Sequence, residues 1–130
     1  MISTATRSAK VLSVVLLLLV IPQFKLKAQP GSDREFNAFW LRFRTAVVKN
    51  EKEAVASMTR FPFLYDSKEQ SRAEFIAIEK NLFTPRVRKC FATAKPLKEG
   101  DVYDVFCKGI IFYFGKSRGE YKFLEFGPDD

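Results

Sequence analysis

Five polar side chains set among aromatic and branched residues are the candidates for chemistry in this sequence: Tyr103, Asp104, Tyr113, Tyr121 and Glu125. On the concave face of a sheet, tyrosine hydroxyls and a carboxylate could act as acid, base or hydrogen-bond donor to an oxyanion. The simpler alternative is that the two carboxylates face water, as alternate residues of a half-exposed sheet do. The chain contains no His, the commonest general base at neutral pH. The sequence therefore predicts no catalytic residue.

A second candidate site is formed by Trp40 and Arg44, which lie one helical turn apart. A guanidinium at this spacing could stack on the indole or bind an anion, although a large aromatic on a helix is usually part of the core. The pocket hypothesis places a small ligand between this helix and the sheet. Its predicted ligand-binding residues are Trp40, Phe43, Arg44, Tyr103, Tyr113 and Tyr121.

The two cysteines predict a disulfide. A turn centred between Lys98 and Glu99 would place Cys90 opposite Cys107 on adjacent strands, and exported proteins mature in an oxidising compartment. The alternative, a redox-active pair, lacks the C-x-x-C spacing and a neighbouring His. Two cysteines cannot form a structural zinc site by themselves, and the sequence predicts neither a metal site nor a cofactor.

Three helices are expected to precede the sheet. The first opens with a capping box, Ser32 to Glu35, and a second, short helix runs from Glu51 to Met58. The third opens with the capping box at Ser71 and ends before Pro85. The first helix carries apolar residues at helical spacing, namely Phe36, Phe39, Trp40, Phe43 and Val47.

The last third of the chain is expected to form four antiparallel strands. The first is expected at 86–94, and turns are expected at 95–100 and 115–119. Before the third helix, 61–66 is expected to be extended and 67–70 to be a loop. The predicted fold class is α+β, with N-terminal helices packed on a curved antiparallel sheet of about four to five strands.

The N-terminus has the layout of a secretory signal peptide. Arg7 and Lys10 precede an apolar run, Val11 to Ile21, which is too short to span a bilayer, and Ala28 offers a small residue for cleavage. We therefore expect a signal peptide at 1–28, one α+β domain at 29–130, and an exported protein, periplasmic or secreted, with no stable membrane span.

Loss of the signal peptide changes the charge of the chain. The signal peptide contains four basic residues, Arg7, Lys10, Lys25 and Lys27, so its cleavage lowers the net charge of the chain from +7 to +3. A protein with this small excess has no basic stripe of the kind that binds nucleic acid. The sequence therefore predicts no nucleic-acid partner.

The order of elements resembles the nuclear-transport-factor-two-like fold, an α+β cone shared with ketosteroid isomerases. The residues that carry the resemblance are Phe39-Trp40-x-x-Phe43-x-x-Ala46-Val47, then Glu53-x-Val55-Ala56-x-Met58 and Phe61-Pro62-Phe63. This layout is also similar to small exported bacterial proteins of unassigned function. It covers nearly the whole mature chain but brings no catalytic motif, and such a cone hosts enzymes, binding modules and scaffolds.

Three functions remain open from the sequence. The leading hypothesis is a non-enzymatic domain that binds a small apolar ligand or a protein partner. The alternatives are a ketosteroid-isomerase-like enzyme using Asp104 or Glu125 with tyrosines, and a small protein inhibitor or immunity-type factor. The run Ile110 to Phe114 is apolar on both faces, so its outer face is expected to be covered by sheet curvature, by the chain's own loops or by a second copy. The last alternative is a homodimer through the outer face of the sheet.

Overall fold

A computed structural model describes residues 31–130, with side chains from residue 33 onward. The expected signal peptide and the Ser32 side chain of the first capping box lie outside this part. Within residues 31–130, four helices and two antiparallel sheets confirm the α+β class. The helices are α1 (Gly31–Val48), α2 (Lys52–Ser57), α3 (Arg72–Leu82) and α4 (Pro85–Phe91). The strands are β1 (Phe63–Tyr65), β2 (Lys68–Gln70), β3 (Leu97–Glu99), β4 (Val102–Cys107), β5 (Ile110–Ser117) and β6 (Glu120–Pro128).

Helix α1 lies against the sheet through the aromatic stripe that its spacing predicts. The buried side chains are Phe36, Phe39, Trp40, Phe43 and Val47. Phe43 is fully buried, and its ring packs against Phe114 of β5 at a centroid distance of 4.9 Å. The helix stops where Asn50 adopts a left-handed conformation, φ 57°, which Asn tolerates better than most residues.

The larger sheet is a simple meander in the order β3-β4-β5-β6. Both long hairpins close through two-residue turns with positive φ, Lys108–Gly109 and Arg118–Gly119, the backbone that matches the twist of paired strands. Because side chains alternate along a strand, one face points to the helices, and it carries Tyr103, Val105, Phe112, Phe114 and Phe123. All five of these side chains are buried.

The strand predicted at 86–94 is wrong: these residues form α4 instead. The Thr84 hydroxyl caps the helix by accepting from the Val87 N–H, and Pro85 occupies its first turn, where a missing N–H costs nothing. Val87 and Phe91, four residues apart, are both buried. The proline that ends one helix therefore begins the next.

Two loop predictions were also wrong. Residues 68–70, expected in a loop, form β2 and pair with β1, because Asp66 and Ser67 both adopt positive φ and close a tight turn. Residues 97–99, expected in a turn, form β3 and pair with β4. The reversal lies at the end of the expected turn, at Gly100, whose φ is +59°.

The disulfide between Cys90 and Cys107 is confirmed, with the two Cα atoms 5.8 Å apart. The hairpin geometry used to predict it is wrong, because Cys90 lies on α4 and Cys107 ends β4. The bond therefore joins a helix to the sheet and does not join two neighbouring strands.

Candidate functional site

A cavity of about 400 Å³ lies beside the first turns of α1, lined by residues of all four strands of the larger sheet or their turns. We call it the tyrosine–lysine cavity. Its lining residues are Lys98, Asp101, Tyr103, Lys116 and Tyr121. The sheet register explains this set, since Lys98 pairs with Tyr103 and Lys116 pairs with Tyr121 across neighbouring strands. Each cross-strand pair therefore presents one ammonium group beside one phenol ring.

Both lysines are held near the tyrosine rings. The Lys98 Nζ lies 5.9 Å from the centroid of the Tyr103 ring, and the Lys116 Nζ lies 5.4 Å from that of Tyr121. Cations at such distances are attracted by the ring quadrupole. The cavity wall thus combines aromatic surface with two positive charges.

Helix α1 contributes two carboxylates to the rim of this cavity. Asp33 pairs with Lys98 at 2.9 Å, and Glu35 pairs with Lys116 at 3.4 Å. The Tyr103 hydroxyl also donates a hydrogen bond to Asp33 Oδ1. Acidic side chains are favoured in the first turn of a helix, where its dipole is positive.

Phe36 packs against both tyrosines of the cavity. Its ring stacks on Tyr103, with centroids 3.5 Å apart and planes within 5°, and meets the edge of Tyr121 at 5.4 Å. Phe36 is 1% exposed, so the ring belongs to the core. A ligand in the cavity would therefore contact tyrosine surface without entering the aromatic interior.

The charges around the cavity set the ionisation of its groups. The hydrogen bond from Tyr103 and the ion pair with Lys98 hold the pKa of Asp33 below its usual value. Burial and the bond to Asp33 raise the pKa of Tyr103, and Asp33 raises that of Lys98. At neutral pH the cavity therefore holds an ionised carboxylate, a neutral phenol donor and a charged ammonium. A carboxylate with a lowered pKa is a poor general base.

Of the six predicted ligand-binding residues, only Tyr103 and Tyr121 line this cavity. Phe43 and Trp40 belong to the core, and the indole packs against Phe91 at 5.5 Å. Arg44 lines a separate surface depression with Val48 and Lys49. Tyr113 points to the opposite face of the sheet, directly across from Asp104 and Glu125. The ligand-binding role of all six stays a prediction.

The carboxylates of the isomerase hypothesis lie on the face of the sheet that points away from the helices. Asp104 follows Tyr103 on β4 and is 3% exposed, while Glu125 is exposed. Burial, and then the neighbouring Glu99, raise the pKa of Asp104 to about 6. Asp104 therefore titrates within a mildly acidic range, but no tyrosine of the cavity shares its face.

The charged residues of the cavity were not among the ligand-binding residues predicted from the sequence. Lys98 fell in an expected turn and Lys116 in an expected hairpin loop. The Arg118–Gly119 dipeptide was the available signal, because a two-residue turn there places Lys116 opposite Tyr121. Asp33 and Glu35 had no such signal, since their approach to the sheet depends on how α1 packs.

A second buried carboxylate, Glu79, lies on α3 and has no solvent exposure. Neither of its oxygens has a hydrogen-bond partner among the described residues. Burial raises its pKa, and the positive charges of Lys52 and Arg88 oppose that rise. Glu79 lies on the helical side of the core and takes no part in the tyrosine–lysine cavity.

No protein-family model, curated protein or solved structure matches this chain. Between residues 31 and 130, no helix has the length and apolar character needed to cross a bilayer. In the same stretch, no group of three or more His, Cys, Asp and Glu side chains could hold a metal ion.

Proposed function

We propose that this chain is an exported, non-enzymatic binding domain whose tyrosine–lysine cavity takes a small ligand with a flat apolar part and an anionic group. The observation that carries the proposal is the pairing of Lys98 with Tyr103 and of Lys116 with Tyr121 around one cavity. Aromatic rings bind flat apolar groups by stacking, and ammonium groups bind anions through charge-assisted hydrogen bonds.

The ion pairs at the rim leave the lysines able to bind a ligand. Each ammonium has three donors, and the salt bridges to Asp33 and Glu35 each use one. Both pairs are solvent-accessible, and exposed pairs contribute only about 0–1 kcal/mol. An incoming anion can therefore join these pairs, or displace a carboxylate at small cost.

Two features favour binding over catalysis. Asp33, the carboxylate in contact with a cavity tyrosine, has a lowered pKa, whereas an isomerase base needs a pKa nearer the working pH. Asp104, whose pKa is raised, lies on the other face of the sheet. The resemblance to the nuclear-transport-factor-two-like cone remains part of this proposal, supported by the order of helices before a sheet meander.

Titration with 8-anilino-1-naphthalenesulfonate, an anionic aromatic dye, tests the proposed function. We expect saturable binding to the oxidised mature chain, measured by dye fluorescence and by calorimetry. The double change Lys98→Met and Lys116→Met should weaken binding by about tenfold or more, because each charge-assisted hydrogen bond contributes about 1.5–3 kcal/mol.

A matched control separates the cavity from the overall charge. The double change Lys89→Met and Lys108→Met removes the same charge from side chains that lie outside the cavity, and it should leave the dissociation constant within about twofold, because exposed charges act weakly at a distance in salt. Equal weakening in both double variants, or no saturable binding to the unaltered chain, would contradict the proposed function.

A further inference from the structure

Among residues 33–130, two surfaces carry most of the exposed large apolar side chains, and they differ in charge. Leu41 and Val48 on α1 are 54% and 43% exposed, and Leu97 and Phe106 on the sheet are 57% and 41% exposed. Monomeric proteins seldom leave grouped apolar side chains uncovered unless something binds there. The fifth such residue, Leu64, belongs to neither surface.

The sheet surface is acidic. We define the outer sheet face as the side of β3–β6 that points away from the helices. One row across it consists of Leu97, Asp104, Tyr113 and Glu125, which pair in register from strand to strand. Glu99 lies diagonally beside Asp104. Asp104, Glu125 and Glu99 form no salt bridge with any residue in the described part of the chain. At the far end of β6, Glu120 pairs with Lys122, which the register places on the same face.

Asp104, in the middle of this row, has a carboxylate oxygen with an unsatisfied hydrogen-bonding capacity. It is 3% exposed, and its Oδ1 has no hydrogen-bond partner among the described residues. A buried carboxylate oxygen without a partner is unfavourable, and a cation placed beside it relieves that cost. The neighbouring Glu99 adds a second negative charge, so the row is complementary to a partner that brings Lys or Arg together with apolar side chains.

The solvent side of α1 has that chemistry. We define the exposed face of α1 as the side opposite its aromatic stripe. Leu41 and Val48 lie on it, seven residues apart and so about two turns along one side. The basic residues outside the buried stripe are Arg34, Arg42 and Arg44 of the helix and Lys49, which directly follows it. Within residues 31–130 none of these four forms a salt bridge, whereas the acidic Asp33 and Glu35 are both paired with lysines.

We propose that copies of this chain associate head to tail, with the exposed face of α1 of one copy packing on the outer sheet face of the next. Contact between two outer sheet faces would instead oppose like charges, which is unfavourable. A head-to-tail contact uses two different surfaces, so each copy can bind two others. The association then proceeds through a series of oligomers as concentration rises.

Sedimentation velocity of the mature, disulfide-bonded chain tests this proposal. From micromolar to millimolar concentration, the unaltered chain should shift continuously to larger species, and added salt should reverse the shift by screening the charges. Phe106→Lys on the sheet and Leu41→Glu on the helix should each lower the association constant by about tenfold or more. The control Leu64→Glu, at an equally exposed position, should leave association unchanged. Circular dichroism and thermal melting would verify that each variant is folded.

Mixing the two variants gives the decisive result. Each alone has lost one of its two surfaces, but together they retain one intact α1 face and one intact sheet face. The mixture should therefore form complexes that neither variant forms alone. A chain that stays monomeric at millimolar concentration would overturn the proposal. So would symmetric association through one face, in which Leu41→Glu or Phe106→Lys alone has no effect and mixing restores nothing.

Discussion

Asp104 shows how the folded surroundings of one residue change its chemistry. In an unfolded chain its carboxyl would titrate near 3.8, whereas burial and Glu99 raise the pKa to about 6 in the folded protein. Its neighbours on the outer sheet face are Leu97, Tyr113, Val102 and Phe106, none of which is cationic. The ionised form is therefore held beside the carboxylate of Glu99 and has no cationic neighbour in this part of the face.

This shift predicts that the protein loses stability as pH rises from about 4 to about 6. Across that range the folded state keeps a proton that the unfolded state has released, so the free energy of unfolding falls, by up to about 3 kcal/mol. Asp104→Asn should flatten this part of the pH profile and make the protein more stable than the unaltered chain at pH 7.5. Urea unfolding across the pH range measures both effects.

Glu125→Gln is the matched control for that measurement. Glu125 lies in the same row of the sheet but is exposed, and such surface substitutions usually change stability by less than about 0.5 kcal/mol. A pH profile that is equally steep with and without Asp104 would show that another group dominates acid-range stability, and buried Glu79 would be the next to test.

At the scale of elements, α4 is where the structure differs most from the sequence prediction. The disulfide also joins this helix covalently to the sheet. Its basic and apolar residues alternate in a way that favours a strand, but Thr84 and Pro85 start a helix and Val87 and Phe91 bury one side of it. The cysteine pairing was right even though the element was wrong. Tertiary packing brings Cys90 near Cys107 from a helix as readily as from a strand.

The disulfide is expected to contribute substantially to the stability of this element pair. Cys90 and Cys107 are separated by 17 residues, and closing a loop of that size is worth about 3 kcal/mol in the chain-entropy model. The double change Cys90→Ala and Cys107→Ala should lower the melting temperature by roughly 10–20 °C. Calorimetry of the variant and of the unaltered chain, with and without reductant, would measure this.

Reductant provides the internal control for that experiment. It should lower the melting temperature of the unaltered chain and leave that of the double variant unchanged, since the described residues contain no other cysteine. If the unaltered chain is insensitive to reductant under denaturing conditions, the stabilising role assigned to the bond is wrong.

At the scale of the whole molecule, the described residues present three different surfaces. The tyrosine–lysine cavity lies at the start of α1, the outer sheet face is acidic and apolar, and the exposed face of α1 is basic and apolar. The core between them is a continuous cluster of aromatic rings. A small domain with so filled an interior has room for ligands and partners mainly at its surface.

Processing should change the whole chain in a predictable way. When the full-length chain is expressed in a bacterium with a secretory pathway, we expect export with cleavage after Ala28 and formation of the disulfide. Intact-mass analysis of the exported fraction, with and without reduction, measures both events. Retention of residues 1–28, or two free thiols in the exported protein, would contradict the expectation.

The sequence by itself determined the features that depend only on residues close together in the chain. The aromatic stripe of α1, the capping box of α3 and the α+β class follow from spacing and caps, which act within a few residues. Only the tertiary structure decided the site. Asp33 lies far along the chain from Lys98, and Glu35 far from Lys116, and these residues meet because α1 packs across the hairpins in one particular register. That register depends on turn geometry and core packing together, which no local pattern encodes.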